Sequence, residues 1–174
     1  GPLAEFNDVE QFAVKYTNAD FFGGDLSVDA YWADQAMRYI PENGSDRQLV
    51  KPAPPEAERI WDQSEIVSDK KGLRVGYGYS DLAGVEGLRL RAGVDLVEDT
   101  AAQRLALTNR VWVPPMEYKS VAPYAQLSWD IGPVTLDAGV RREDGELSVD
   151  SYTTTAYRDS VAVTGGKLDD KATM

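Results

Sequence analysis

Leu73-Arg74-Val75-Gly76-Tyr77-Gly78-Tyr79 and Leu88-Arg89-Leu90-Arg91-Ala92-Gly93-Val94-Asp95-Leu96 decide the fold of this chain. In both stretches apolar side chains alternate with polar ones or glycine. That period of two is imposed by a β-strand, which sends successive side chains to opposite faces. The link between them runs through Asp81 to Glu86 and is short enough to join neighbouring antiparallel strands.

The same alternation extends outward in both directions. Phe12, Val14 and Tyr16 alternate with Gln11, Ala13, Lys15 and Thr17; Leu26, Val28, Ala30 and Trp32 alternate with Asp25, Ser27 and Asp29. Past Pro123, Ala125, Leu127, Trp129 and Ile131 oppose Gln126, Ser128 and Asp130, and Val134, Leu136, Ala138 and Val140 oppose Thr135, Asp137, Gly139 and Arg141. A less regular stretch leads from Ile66 into the strand ending at Tyr79. The reading is an all-β, antiparallel up-and-down meander of about six strands. Its links alternate. Short ones lie at Asp20 to Asp25, Asp81 to Glu86 and Ile131 to Val134. Long ones, of about twenty residues, are expected at Arg38 to Ile66, Asp99 to Lys119 and Asp144 to Lys167, where a compact domain seldom carries structureless loops.

The two faces differ in kind. One carries Leu, Val, Ala and aromatics, with Tyr79, Trp32 and Trp129 toward strand ends. The other carries arginines, aspartates and Gly76, Gly78, Gly93 and Gly139, and glycine within a strand marks curvature or the close approach of another group. Two architectures fit. In a transmembrane β-barrel the apolar side faces lipid over strands of roughly nine to eleven residues, with short turns at one end, long loops at the other and aromatic girdles at the interfaces. In a soluble β-sandwich the apolar side faces a second layer. The segregation of long links to one end favours the barrel.

Composition narrows the function. The 174 residues include 29 acidic and 18 basic side chains, a formal net charge of −11, which argues against nucleic-acid binding and against docking on anionic lipid. The chain has no cysteine and no histidine. Disulfides, thiolate catalysis, the common zinc sites and a Ser-His-Asp triad are therefore absent. No apolar run is long enough for a transmembrane helix. Gly1-Pro2 resembles the remnant of a cleaved tag, so residues 1–6 are read as tag remnant and leader and 7–174 as one barrel segment excised from a larger protein. Asp169-Asp170 and Glu143-Asp144 read as solvated loop acids. Gly23-Gly24 and Gly165-Gly166 lack the tail of a phosphate loop. No catalytic, metal or cofactor site is implied, and the chain is not read as an enzyme. On the polar face, Arg89 and Arg91 are expected to form salt bridges to neighbouring strands. Trp61, Arg110, Trp112 and Tyr118 are the candidate ligand contacts, because aromatic and arginine side chains dominate binding hot spots; internal packing of the loops is the competing explanation.

Val111-Trp112-Val113-Pro114-Pro115-Met116-Glu117-Tyr118, continuing through Ala122-Pro123-Tyr124-Ala125-Gln126-Leu127 and then Val134-Thr135-Leu136-Asp137-Ala138-Gly139-Val140-Arg141, resembles the barrel of TonB-dependent outer-membrane receptors. Asp20-Phe21-Phe22-Gly23-Gly24-Asp25-Leu26 is similar to a periplasmic turn of that family. The resemblance implies a receptor in the outer membrane of a Gram-negative bacterium that imports ferric siderophores or a similar scarce nutrient. It also implies a plug domain and the TonB complex as partners in the parent protein. The alternative is a soluble all-β ligand-binding or adhesion module. In isolation, the segment is expected either to turn its apolar face inward as a small sandwich or barrel, or to self-associate.

Overall fold

The computed structural model describes residues 4–39, 50–51, 64–106, 109–154, 156–157 and 162–174; Trp61 and the proline-marked part of the first long link lie outside them. The strands are β1 (Ala4–Phe21), β2 (Gly24–Tyr39), β3 (Val50–Lys51), β4 (Ser64–Tyr79), β5 (Leu88–Leu105), β6 (Val111–Ile131), β7 (Val134–Arg141), β8 (Asp144–Val149), β9 (Tyr152–Thr153), β10 (Ala156–Tyr157), β11 (Thr164–Gly165) and β12 (Leu168–Thr173). The long ones form one antiparallel sheet in the order β1-β2-β4-β5-β6-β8-β12, with β7 also paired to β6. The chain is all-β and a meander, as its alternation indicates.

The three tight turns lie where expected, at one end of the sheet. Phe22 (φ 50°) and Gly23 (φ 81°) both adopt positive φ, the backbone that matches a two-residue hairpin to the strand twist. Gly132-Pro133 joins β6 to β7. Between β4 and β5, the Asp81 carboxylate accepts the Gly87 N–H at 2.9 Å and closes the loop.

The other end differs from expectation. The link read as Asp99 to Lys119 is mostly strand: β5 runs to Leu105 and β6 starts at Val111, leaving five residues, 106–110. Its turn is set by Asn109 (φ 53°), whose N–H donates to the Leu105 carbonyl at 2.7 Å. Glu143-Asp144 and Asp169-Asp170 are not loop acids. Asp144 opens β8, Asp169 and Asp170 lie in β12, and Glu143 exchanges backbone hydrogen bonds with Met174. The remaining long links, 40–63 and 150–167, meet through the small β3–β10 ladder.

β7 and β8 are one ribbon in constant register against β6, since Tyr124 pairs with Arg141 and Val121 with Asp144. The break falls opposite Pro123. Arg142 N–H reaches the Pro123 carbonyl at 3.1 Å, but proline has no N–H to return. Pro114-Pro115 sits at the other irregularity of β6, where the pairing with β5 slips between Ala101 and Arg104, a bulge that tolerates proline.

Among the described residues the sheet is a single layer with β1 and β12 at its ends, and they form neither a small sandwich nor a closed barrel. Among the described residues the buried hydrophobic side chains are Leu105, Ala122 and Val149.

Candidate functional site

On the outer face, cross-strand register assembles the alternating apolar residues into a band. Val14, Ala30, Leu73, Leu96 and Val121 form one row; Tyr16, Val28, Val75, Val94 and Pro123 form the next. Tyr77, Ala92, Ala125 and Val140 follow, and Leu88, Trp129 and Leu136 lie near the tight turns. On β5 the band is Leu88 to Leu96, and on β6 it is Val121 to Ile131. None of the described residues covers it: Phe12 is 64% exposed, Leu136 54% and Val140 69%.

The band stops at a row of alternating charge. Trp32, Lys71, Glu98, Lys119, Glu146 and Lys171 are consecutive cross-strand partners on the same face. Lys171 pairs with Glu146 at 3.0 Å. One row farther lie Glu10, Asp34, Asp69, Thr100, Glu117, Ser148 and Asp169. The rows are tied together by Trp32 Nε1–H donating to Asp69 Oδ2 at 2.7 Å and by Lys71–Asp69 (3.1 Å) and Lys119–Glu117 (2.7 Å) ion pairs. The Trp32 hydrogen bond, with Lys71, holds the Asp69 carboxyl below its ordinary range. Asp69 in turn raises Lys71, and Glu117 raises Lys119.

The inner face is organised by charge pairs between strands. Asp95, 7% exposed, receives Arg74 from β4 and Arg141 from β7, each at 2.7 Å, so one carboxylate ties two guanidiniums across the sheet. Arg141 also reaches Glu143 (3.5 Å), and Lys15 pairs with Asp29 (3.8 Å). Lys15, Asp29, Arg74, Asp95 and Arg141 line an open concavity of about 760 Å³ with Tyr124. The inner-face glycines serve the same surface. Tyr124 lies over Gly93, where an added Cβ would fall 2.7 Å from its hydroxyl, and the Tyr31 ring covers Gly72 in the same way. The close approach expected at Gly93 is therefore made by a tyrosine of a neighbouring strand, and at Gly76 by the Ser27 hydroxyl of β2, with the Tyr124 hydroxyl next. At Gly78 it is made by the Asp25 carboxylate, and Gly139 has only ordinary contacts.

The structure spreads the candidate ligand contacts apart. Trp61 lies outside the described residues. Arg110, half-buried in the turn, accepts the Leu105 N–H on its carbonyl at 2.9 Å, and Trp112, also half-buried, follows at the start of β6. Tyr118 is six residues farther along β6, roughly 20 Å at strand rise. Its ring packs over Gly145, and its hydroxyl donates to Glu143 Oε1 at 3.3 Å. Arg110 and Trp112 thus share the loop end, while Tyr118 is engaged within the inner face. Arg89 makes the expected bridge to a neighbouring strand, to Asp130 at 3.0 Å.

Single-sequence reasoning missed Asp95 and the charged row. Both depend on register: each acid is unremarkable until the pairing sets it beside its base. Among the described residues no group of three or more acidic side chains is placed to hold a metal ion. No protein-family model matches the chain, and no solved structure matches it.

Proposed function

We propose that the chain is part of the wall of an outer-membrane β-barrel receptor of the TonB-dependent type, which imports ferric siderophores or a similar scarce nutrient. The observation that carries this reading is the uncovered apolar band and its height. Leu88 to Leu96 and Val121 to Ile131 are nine and eleven residues, the length at which a strand tilted by about 45° spans the roughly 30 Å hydrocarbon core. The band ends in tryptophan and charge, as a lipid-facing surface does where it leaves hydrocarbon. A soluble binding or adhesion module requires a second layer over this face, and the described residues supply none. The inner face, polar and internally paired, suits a lumen. Chemistry comes second in this reading, and the loop-end residues Arg110 and Trp112 are the ligand contacts it favours.

The membrane part is tested by reconstituting the chain in vesicles of lipids brominated at graded depths. Quenching of Trp32 and Trp129 by shallow labels, each read in a variant lacking the other tryptophans, supports the reading; no quenching at any depth overturns it. The transport part is tested by iron-chelate uptake in cells carrying the parent receptor, and absence of uptake across chelate classes counts against it.

A further inference from the structure

Where the apolar band meets the charged row, the three strands at the middle of the sheet share one pattern on the outer face. Moving away from the tight turns, β4 presents Leu73, Lys71 and Asp69, β5 presents Leu96, Glu98 and Thr100, and β6 presents Val121, Lys119 and Glu117. Register sets these nine residues in three level rows: apolar, then Lys71-Glu98-Lys119, then Asp69-Thr100-Glu117. β2 and β8 flank the three strands, so no edge of the sheet takes part. Leu73, Leu96 and Val121 floor an open niche of about 350 Å³, and Lys71, Glu98 and Lys119 rim it. The two lysines stand two strands apart, roughly 9.5 Å at the backbone, and both are half-exposed.

We propose that this niche holds a phosphate-headed lipid. One acyl chain lies on Leu73, Leu96 and Val121, the phosphate sits between the Lys71 and Lys119 ammoniums, and a compensating positive charge lies beyond it, against Asp69 and Glu117. The proposal rests on the membrane reading and gives its outer face a lipid chemistry. Three observations define the occupant. An apolar floor below a cationic rim follows the order of an acyl chain and its phosphate, and lysine serves phosphate as a point charge. Lys71 pairs with Asp69 at 3.1 Å and Lys119 with Glu117 at 2.7 Å, so each pair is a dipole with its positive end toward the band. A phosphate with a cation beyond it is the reverse dipole, and opposed dipoles side by side attract. The array holds two ammoniums, Lys71 and Lys119, against three carboxylates, Asp69, Glu98 and Glu117, so a phosphate without its own cation is disfavoured. The cation is the lipid's own ammonium or a divalent ion shared with the phosphate.

Trp32, the cross-strand partner of Lys71, is the reporter. The chain, with its other tryptophans changed to phenylalanine, is placed in dodecyl maltoside micelles, which carry no phosphate. Four additions with identical brominated chains are titrated: phosphatidylethanolamine, phosphatidic acid with Mg²⁺, phosphatidic acid without it, and monogalactosyl diacylglycerol. Phosphatidylethanolamine, phosphatidic acid with Mg²⁺, or both should half-quench Trp32 at a mole fraction at least about threefold below that of the galactolipid. The tighter of the two identifies the cation as ammonium or divalent ion. Lys71→Gln/Lys119→Gln should erase the difference, whereas Lys171→Gln, in the same row but outside the niche, should keep it. The galactolipid curve should be the same in every variant, which reports an intact outer face. Equal half-quenching by phosphate and galactose heads overturns the proposal and leaves the membrane reading standing. Phosphatidic acid acting equally well without Mg²⁺ also overturns it, because no outer cation is then needed. Quenching by none of the lipids overturns the membrane reading, and the proposal with it.

Discussion

Replacing Val140 by arginine separates a lipid-facing wall from a solvated sheet. Val140 is 69% exposed on the outer face and shares a row with Ala125, Ala92 and Tyr77. Ala92 is the middle of the nine-residue stretch Leu88–Leu96, so this row lies near the bilayer midplane if the band spans it. An arginine there costs about 2–4 kcal/mol in an outer-membrane-type barrel, which is about a 30- to 800-fold shift in the folding equilibrium. In water the same change is a surface substitution worth within about 0.5 kcal/mol. The control is Gln126→Arg. Gln126 pairs with Gly139, one position away, but points to the inner face, where it is exposed and an added charge remains solvated. Urea unfolding in phosphatidylcholine vesicles, followed by tryptophan fluorescence, reads both variants. The expected outcome is a loss of about 2 kcal/mol or more for Val140→Arg and little change for Gln126→Arg, with equal denaturant slopes. Equal, small shifts for the two would refute the assignment of the outer face to lipid.

Three other perturbations test the inner face and the charged row. Asp95→Ala leaves Arg74 and Arg141 without their shared acceptor and should cost about 1.5–3 kcal/mol, toward the lower end because both arginines are half-exposed and regain water; in Asp95→Ala/Arg141→Ala the two losses should combine to less than their sum. Gly93→Ala should cost about 1–3 kcal/mol, because its Cβ would meet the Val75 carbonyl and the Tyr124 hydroxyl, whereas Gly139→Ala, with its nearest contact at 3.5 Å, should be close to neutral; thermal or urea unfolding ranks the pair, and equal effects count against the tyrosine cover. Asp69 is held below its ordinary 3.8 and Lys71 above its ordinary 10.5, so their contribution to stability is intact between those values. It is lost as pH falls through the depressed Asp69 value or rises through the raised Lys71 value. The midpoint of the change in the Trp32 indole N–H resonance should therefore lie below 3.8, and Asp69→Asn should remove that step; a midpoint at or above 3.8 would contradict the hydrogen bond.

The strands with clean alternation were legible from the residues alone. Leu73 to Tyr79, Leu88 to Leu96 and Ala125 to Val140 form the paired centre of the sheet, and Gly23 and Gly132 mark two of the tight turns at one end. The strand extensions were not legible. Glu98-Asp99-Thr100-Ala101-Ala102-Gln103 has no period of two, yet its backbone stays paired to β4 without a register shift. β12 carries Asp169 and Asp170, which read as solvated loop acids, although each of its residues is paired to β8. The candidate site was legible only in part: Arg110 and Trp112 do lie at the loop end, but the partner of Tyr118 is Glu143, one of the acids taken for a loop.

These successes and misses have one physical cause. Alternation records the medium on each face of a strand, whereas pairing depends on backbone groups that nearly every residue supplies. Where one face is apolar and the other polar, the two coincide and the sequence shows the strand. Past the row of Lys71, Glu98 and Lys119 both faces are polar or mixed, so the pattern lapses while the ladder continues. β5 has 18 residues and β6 has 21, but their apolar stretches are nine and eleven. The difference is a projection of paired strand beyond the band, and it carries Arg110 and Trp112 to its far end. The lapse of alternation therefore marks the edge of the apolar band, not the edge of the sheet, which is why two loops were overestimated.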